Sequence, residues 1–163
     1  MTRSQGWGGL VVVAGLLWSG GLAWTPAQAA TQEAGSRFQP VLSGAGVQDR
    51  KTGLVWEQEP DRDHDVWDRS VARCTTKEVG GQKGWRAPSI DELKTLIDPS
   101  QHDPALPAGH PFSNIRSEIY WTATPDAKDD MLAWQVSFFS GEPVNDQKSG
   151  TRRMWCVLDR FRP

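Results

Sequence analysis

The pattern of apolar and polar positions first predicts a strand and then a helix. Bulky residues at 52–56 follow a charged turn, which is typical of a strand that enters a core. The next apolar positions recur at helical spacing on one face: Trp67, Val71 and Cys74. They predict a helix over 66–76. We expect Asp65 to be its N-cap, because an aspartate there accepts hydrogen bonds from the free amides of the first turn.

Further along, a second helix is predicted to precede a long loop. Ser89 and Glu92 form a capping-box pattern, and the helix should end at Asp98 because a residue before proline avoids helical geometry. Residues 99–117 contain four prolines, so we expect a loop there. Three strand-like runs follow, at 119–122, 132–139 and 151–158. A hairpin turn at Ser140–Gly141 should join the last two runs, so we expect the three runs to form an antiparallel meander and the whole order to give an α+β fold.

The first 29 residues have the pattern of a cleavable signal peptide. Arg3 precedes an apolar run at 10–22, and Ala27-Gln28-Ala29 is the small-x-small site at which such segments are cut. The apolar run is shorter than the roughly 20 residues that a membrane span needs, so we expect no span after cleavage. The predicted organisation is a signal peptide at 1–29, a flexible lead-in at 30–48 and one domain at 49–160, located in the periplasm or secreted.

The charge of the chain argues against a nucleic-acid-binding protein, and its cysteines indicate a disulfide. The chain has 18 Lys and Arg against 20 Asp and Glu, a formal net charge of −2, which gives no bulk attraction to nucleic acid. Its two cysteines, Cys74 and Cys156, are expected to form a disulfide because an exported protein meets an oxidising compartment. Closing a loop of about 80 residues would contribute roughly 4.5 kcal/mol to the free energy of unfolding.

Several segments in order, together with the two cysteines, carry a family resemblance: Gly53-Leu54-Val55-Trp56, Gly84-Trp85-Arg86-Ala87-Pro88-Ser89-x-x-Glu92-Leu93, Tyr120-Trp121-Thr122-Ala123-Thr124 and Ala133-Trp134-x-Val136-x-Phe138. Over Asp49–Asp159 the chain resembles the Lcl C-terminal domain family. The resemblance implies a C-type-lectin-like fold, related also to formylglycine-generating enzymes, with an irregular loop region as the ligand face. It implies adhesion or polysaccharide binding and supplies no catalytic residues. The chain departs from the family pattern at Trp155, where an arginine commonly precedes the last cysteine.

No arrangement of residues typical of catalysis stands out, so we predict that the protein is not an enzyme and has no cofactor. An oxidase related to formylglycine-generating enzymes would need a reactive cysteine pair, and both cysteines are expected to be bridged. Residues 142–146, Glu-Pro-Val-Asn-Asp, match the calcium and sugar motif of C-type lectins only loosely. Two loop histidines with nearby aspartates would be incomplete as a metal site, and we predict no bound metal.

The long loop and the acidic turn that follows the run at 119–122 are the candidate ligand-binding surface. Prolines restrict the loop, and binding residues tend to lie on loops held by a rigid scaffold. The candidate residues are His102, Asp103, His110, Asp126, Asp129 and Asp130. Of the six tryptophans after residue 29, most are expected in the core, with one or two available to stack on a sugar.

These observations predict an exported module that binds a glycan or an envelope or surface protein through its loops. Two alternatives stay open: a structural envelope protein without a small ligand, and a cell-envelope enzyme whose catalytic residues the sequence does not reveal. Sugar binding that a chelator abolishes would indicate calcium-dependent recognition, whereas no sugar binding at all would favour a protein partner.

Overall fold

Two small four-stranded sheets and two helices form the structure over the residues that the computed structural model describes, 36–159. In chain order the elements are β1 Phe38–Val41, β2 Gly46–Asp49, β3 Val55–Glu57, α1 Trp67–Thr76, α2 Ile90–Lys94, β4 Ile119–Pro125, β5 Leu132–Ser137, β6 Pro143–Gln147, β7 Arg153–Met154 and β8 Val157–Leu158. The strand order is β1-β2-β3-β8 in the first sheet and β6-β5-β4-β7 in the second. Neighbours pair antiparallel except β4 and β7, and the α+β prediction is confirmed. The predicted signal peptide lies outside the described residues.

The segment before residue 49 belongs to the first sheet. β1 and β2 pair antiparallel, with Phe38 opposite Asp49. Phe38 packs edge-on against Phe112 with ring centroids 5.2 Å apart, and Arg37 forms a 2.7 Å ion pair with the buried Asp49. The prediction of a flexible lead-in at 30–48 is therefore wrong from residue 38 onward. β1 is an edge strand whose middle residues face solvent, so its sequence lacks the apolar pattern of a buried strand.

The end of the chain crosses from the second sheet to the first. β7 pairs in parallel with β4, and β8 pairs antiparallel with β3. The prediction of one strand over 151–158 in an antiparallel meander is therefore wrong. The hairpin partner of β5 is β6, an edge strand whose largely exposed residues show no strand pattern in the sequence. Two buried residues, Trp155 and Cys156, span the gap between β7 and β8 and are termed the crossing segment.

A buried glutamate holds the crossing segment in place. The main-chain N–H of Cys156 donates to Glu57 Oε2 at 2.9 Å, and the indole N–H of Trp155 donates to the Glu57 carbonyl oxygen at 2.8 Å. Glu57 is the last residue of β3, so the crossing segment is bonded to the first sheet before β8 begins. Because a buried amide needs a partner, the Glu57 carboxylate takes the place of a neighbouring strand at this point.

Two hydrophobic cores meet at the crossing segment. The first core contains Trp155, whose ring lies 4.8 Å from that of Phe112. The second core contains Cys156 and includes the apolar face of α1. The buried tryptophans are Trp56, Trp85, Trp121 and Trp155. The prediction that most tryptophans belong to the core is therefore confirmed, and Trp67 and Trp134 are partly exposed.

The predicted disulfide joins α1 to the crossing segment. Cys74 and Cys156 are bonded, with Cα atoms 5.6 Å apart, within the usual range for a bridge. Cys74 lies on the buried face of α1, at the helical spacing that the sequence predicts. The bridge therefore fixes that helix over the second core.

The predicted N-cap of α1 has a different role. The N-cap residue is Val66, which makes no side-chain cap, so the prediction of an Asp65 cap is wrong. The Asp65 carboxylate instead accepts from Arg69 at 2.9 Å and from Arg73 at 2.7 Å. Hydrogen bonds between charged groups are stronger than those to neutral amides, so the two arginines hold the carboxylate along the helix side.

The capping box predicted at the start of α2 is present. The Ser89 hydroxyl accepts from the N–H of Glu92 at 3.2 Å, and the Glu92 carboxylate accepts from the N–H of Ser89 at 2.8 Å. The regular helix ends at Lys94, earlier than predicted, because the N–H groups of 95–97 bond to carbonyls three residues back. Within 36–159, neither helix is long and apolar enough to cross a membrane.

Replacing Cys156 by serine should lower the free energy of unfolding by about 2–5 kcal/mol, because it removes a bridge between residues 82 positions apart. Urea unfolding of the oxidised protein, followed by tryptophan fluorescence, measures the loss. Cys74→Ser and the double variant are the controls. Since each removes the same bond, the three losses should agree to within about 1 kcal/mol, and losses that add in the double variant would contradict a shared bridge.

Candidate functional site

The predicted site residues fall into separate groups at the two ends of β5. His102 and Asp103 are exposed, and their loop is anchored just after β5, where the N–H of Asp103 donates to the Phe139 carbonyl oxygen at 3.2 Å. The turn at 126–130 leads into the start of β5. A strand of 6 residues spans about 20 Å. The structure therefore does not bring the two groups together into one surface.

His110 contributes to the packing of the long loop. Its ring lies 5.8 Å from that of Phe112, which belongs to the first core, and burial lowers the pKa of His110. Leu106 and Ile115 pack on the same core. The loop at 99–117 thus covers the first core. Across residues 36–159 no group of three or more His, Cys, Asp or Glu side chains is placed to hold a metal ion.

A pocket of about 450 Å³ opens on the second sheet beside the turn at 126–130. We call it the Trp134 pocket. It is lined by Asp126, Ala127, Lys128, Asp129, Leu132, Trp134 and Asn145. Side chains alternate along a strand, so Trp134 points to the face opposite the buried Ala133 and Gln135. Asn145 of β6 lies directly opposite Trp134 in the strand register. The pocket is therefore built by one hairpin strand, its partner and the turn before them.

Asp126 organises the polar side of the Trp134 pocket. Its Oδ2 accepts from the Asn145 amide at 2.6 Å, and its Oδ1 accepts from the main-chain N–H groups of Lys128 at 2.8 Å and Asp129 at 3.3 Å. The hydrogen bond from the Lys128 N–H is the main cause of a lowered Asp126 pKa, and the Asn145 amide adds to it. The Asp126 carboxylate is therefore ionised at neutral pH.

The polar side chains around the indole leave hydrogen-bond acceptors unused. A carboxylate only accepts, so Asn145 turns its NH₂ group to Asp126 and keeps its carbonyl oxygen as a spare acceptor. Asp129 uses Oδ1 for the N–H of Met131 at 2.9 Å, and its second oxygen accepts from no residue in the described part of the chain. The pocket thus presents the aromatic surface of Trp134 bordered by oxygen acceptors.

Sequence reasoning found part of this pocket. Asp126 and Asp129 are predicted site residues that line it, whereas Asp130 lies beside it. Trp134 is not among the predicted site residues. The alternation along 132–136 is the signal that could have found it, because a bulky residue next to the small Ala133 in a strand faces the other side of the sheet.

A second pocket, of about 360 Å³, lies over a row of ion pairs. It is lined by His64, Glu118, Ile119, Thr151 and Arg152. Glu118 Oε2 lies 2.6 Å from His64 Nε2 and accepts from Arg153 Nε at 2.8 Å. Burial raises the pKa of Glu118, but the hydrogen bonds from Arg153 and His64 outweigh it and lower that pKa. Both partners hold the same oxygen, so the cluster fastens the segment before α1 to β4 and β7.

A more deeply buried charge cluster lies where α1 ends near β3. Lys77, directly after α1, forms ion pairs with Glu57 and with Asp61, the latter at 2.6 Å. Burial raises the pKa of Glu57, and the Lys77 ammonium offsets part of that rise. Because the same carboxylate accepts from Cys156, the charge of Lys77 stabilises the group that holds the crossing segment.

Comparison with models of protein families identifies the family of the chain. The model of the Lcl C-terminal domain matches residues 45–158. The chain belongs to this family. The match runs from the residue before β2 to the end of β8, so the Trp134 pocket lies inside the Lcl C-terminal domain. A comparison with curated proteins finds no match.

Three positions that were compared with the family pattern, Trp85, Arg86 and Trp155, have structural roles in this Lcl C-terminal domain. Trp85 is buried, and its indole N–H donates to the Gln82 carbonyl oxygen at 2.9 Å. Arg86 forms hydrogen bonds of 2.8 and 2.6 Å to the Glu92 carboxylate, and these bonds lower the pKa of Glu92. Trp155, which stands where an arginine is common, is buried in the first core. Trp85, Arg86 and Trp155 therefore shape the fold.

Lys77→Met should destabilise the Lcl C-terminal domain by about 3–5 kcal/mol at neutral pH, because it leaves the buried Glu57 carboxylate without its cation. Lys83→Met is the matched control. Lys83 pairs with Glu78 at the surface, at 3.3 Å, and its loss should cost less than about 1 kcal/mol. Urea unfolding measures both variants, and equal costs would contradict the role given to Lys77.

The cost of Lys77→Met should shrink in acid. The folded pKa of Glu57 lies above its ordinary 4.5, so the folded chain binds this proton more tightly than the unfolded chain does. The stability that results is fully present below pH 4.5 and is lost as pH rises through the folded pKa. Removing Lys77 raises that pKa further, so the variant loses more stability towards neutral pH than the wild type. Urea unfolding of the wild type and of Lys77→Met between pH 4.5 and neutral pH tests this prediction. A loss of unfolding free energy that does not change with pH would contradict it.

Proposed function

We propose that this Lcl C-terminal domain is an exported carbohydrate-binding module and that the Trp134 pocket receives a sugar ring. The observation that carries the proposal is a partly exposed tryptophan bordered by oxygen acceptors in a pocket of about 450 Å³. A pyranose has the matching chemistry, because its C–H face packs on an aromatic ring and its hydroxyl groups donate hydrogen bonds. Ligand pockets generally combine aromatic and apolar walls with a few placed polar groups.

Trp134 differs from the other partly exposed tryptophan in being available to a ligand. The Trp67 indole N–H donates to the Thr122 carbonyl oxygen at 2.7 Å, and the Lys148 ammonium lies 4.4 Å from its ring centroid. By contrast, the Trp134 indole N–H donates to no residue between 36 and 159, and no cation from that range covers the ring. An aromatic residue with a free polar handle is well suited to bind a ligand that is apolar on one side and polar on the other.

The proposal includes where the domain acts and what its fold resembles. The signal-peptide pattern at 1–29 and the Cys74–Cys156 disulfide support a periplasmic or secreted location, since disulfides persist in oxidising compartments. The family resemblance supports a C-type-lectin-like fold and a role in adhesion. In such a setting the ligand is a glycan of the envelope or of a surface outside the cell. A protein partner and a purely structural role are the competing outcomes of the test below.

Trp134→Ala should weaken oligosaccharide binding by about 2 kcal/mol, or roughly thirtyfold, because it removes the stacking surface. The full chain is screened on an array of neutral, amino and acidic oligosaccharides, and the sugar bound best is titrated by calorimetry. The midpoint of thermal unfolding should change little, because the ring lies outside both cores.

Phe139→Ala is the matched control for the loss of an aromatic ring. Phe139 is 58 % exposed and follows the far end of β5, so its removal should leave sugar binding unchanged. Equal losses in both variants would indicate nonspecific contact. No binding to any sugar on the array would contradict the proposed function and favour a protein partner.

A further inference from the structure

We propose that the sugar bound in the Trp134 pocket carries a protonated amine, as an amino sugar does, and that sulfated or carboxylated sugars are excluded. This inference rests on the carbohydrate-binding function proposed above and deepens it. It follows from three properties of the pocket: which hydrogen-bonding groups are unused, the balance of charge on its lining, and the aromatic face of Trp134.

Apart from the Trp134 indole N–H and the Lys128 ammonium, the unused polar groups of the pocket's side chains are acceptors. One Asp126 oxygen accepts hydrogen bonds from two main-chain N–H groups, and the other accepts from the Asn145 amide. The Asn145 side-chain carbonyl oxygen and Asp129 Oδ2 accept no hydrogen bond from residues 36–159 and remain available to a ligand. A ligand that supplies donors can therefore pair with both carboxamide and carboxylate oxygens. An ammonium group supplies three N–H donors and accepts nothing, whereas a sulfate or carboxylate supplies acceptors only.

The charge of the lining favours a cation. Two of its residues, Asp126 and Asp129, carry carboxylates, against the single ammonium of Lys128. A further carboxylate, Asp130, follows directly in the chain. The nearby Lys148 does not balance this charge for a ligand, because its ammonium donates to the Asp130 carbonyl oxygen at 2.7 Å and lies over the Trp67 ring. An anionic sugar would approach two carboxylates and find a single cation, Lys128, and no arginine among the lining residues.

The ring of Trp134 adds a second attraction for a cation. An ammonium over an indole face is stabilised by the negative potential of the ring, and tryptophan is the most effective of the aromatic residues. The same chain already uses this contact nearby, where the Lys148 ammonium lies 4.4 Å from the Trp67 ring centroid. In the Trp134 pocket no residue of the described range supplies the cation, so the ligand's amine takes that position.

Calorimetric titration of the full chain with three tetrasaccharides tests the inference. The probes are β-1,4-linked glucosamine, its N-acetylated counterpart and a heparin fragment, at about pH 5.5, where the Asp126 carboxylate is ionised and the sugar amine is protonated. We expect glucosamine tetrasaccharide to bind about tenfold more tightly than the acetylated form, which corresponds to one added charged contact. The heparin fragment should bind more weakly than either. Raising the ionic strength should reduce the preference, because the contacts are at the surface.

Two aspartate variants locate the effect. Asp129→Asn removes a lining charge but keeps the side-chain oxygen that accepts from Met131, so the preference for the amine should fall to less than about threefold while the acetylated sugar still binds. Asp130→Asn is the matched control: it removes the adjacent charge outside the lining, and most of the preference should persist. Equal effects of the two variants would show nonspecific attraction to an acidic surface and overturn the inference.

The outcomes separate this inference from the proposed function. If the acetylated or the heparin sugar binds as tightly as the amine, and Trp134→Ala weakens that binding, the amine preference is overturned and the carbohydrate site stands. If no tetrasaccharide binds, or Trp134→Ala changes none of the affinities, both the site and the inference are overturned. An amine preference that Trp134→Ala and Asp129→Asn each reduce supports both.

Discussion

The structure depends on how Trp155 and Cys156 pass between the two sheets. A chain that leaves a sheet in the interior exposes main-chain groups, and each one left unpaired costs roughly 1–3 kcal/mol. Here the Glu57 carboxylate accepts from Cys156, while the disulfide ties the same residue to α1. Trp155 meanwhile packs into the first core. One dipeptide thus joins both sheets, a helix and both cores. The Lys77 ammonium stabilises this arrangement because it pairs with the Glu57 carboxylate that accepts from Cys156.

The Trp134 pocket follows from the way the end of the chain is divided between the two sheets, with β7 in the second sheet and β8 in the first. Because β7 takes the free side of β4, the hairpin of β5 and β6 forms the outer part of the second sheet, with β6 at its edge. Val136 and Trp134 point to the same face, but only Val136 belongs to the first core. Burial of apolar surface stabilises a fold by about 25 cal/mol per Å². A tryptophan that stays partly exposed therefore contributes less to the free energy of unfolding than a buried one. Binding a sugar on that surface would recover part of it.

Local signals predicted the helices better than the strands. The Ser89 capping box and the helical spacing that ends at Cys74 involve neighbours within a few turns, and both helices are present. The short strand β7 pairs with β4, which lies far back along the chain, and β1 is an edge strand whose middle residues face solvent, so no apolar pattern in the sequence marks either strand. The same holds for the site. Turn-forming aspartates at 126 and 129 are visible in the sequence, whereas Asn145 joins the pocket only through its register with Trp134.

A titration followed by the tryptophan indole N–H signals of the ¹⁵N-labelled full chain tests most directly whether Trp134 contacts a ligand. On addition of glucosamine tetrasaccharide we predict that the indole signal of Trp134 and the side-chain amide signals of Asn145 move. The indole signals of Trp56 and Trp155 should stay in place, because both rings are buried. Signals that move around His102 while those of Trp134 stay unchanged would contradict a binding site in this pocket.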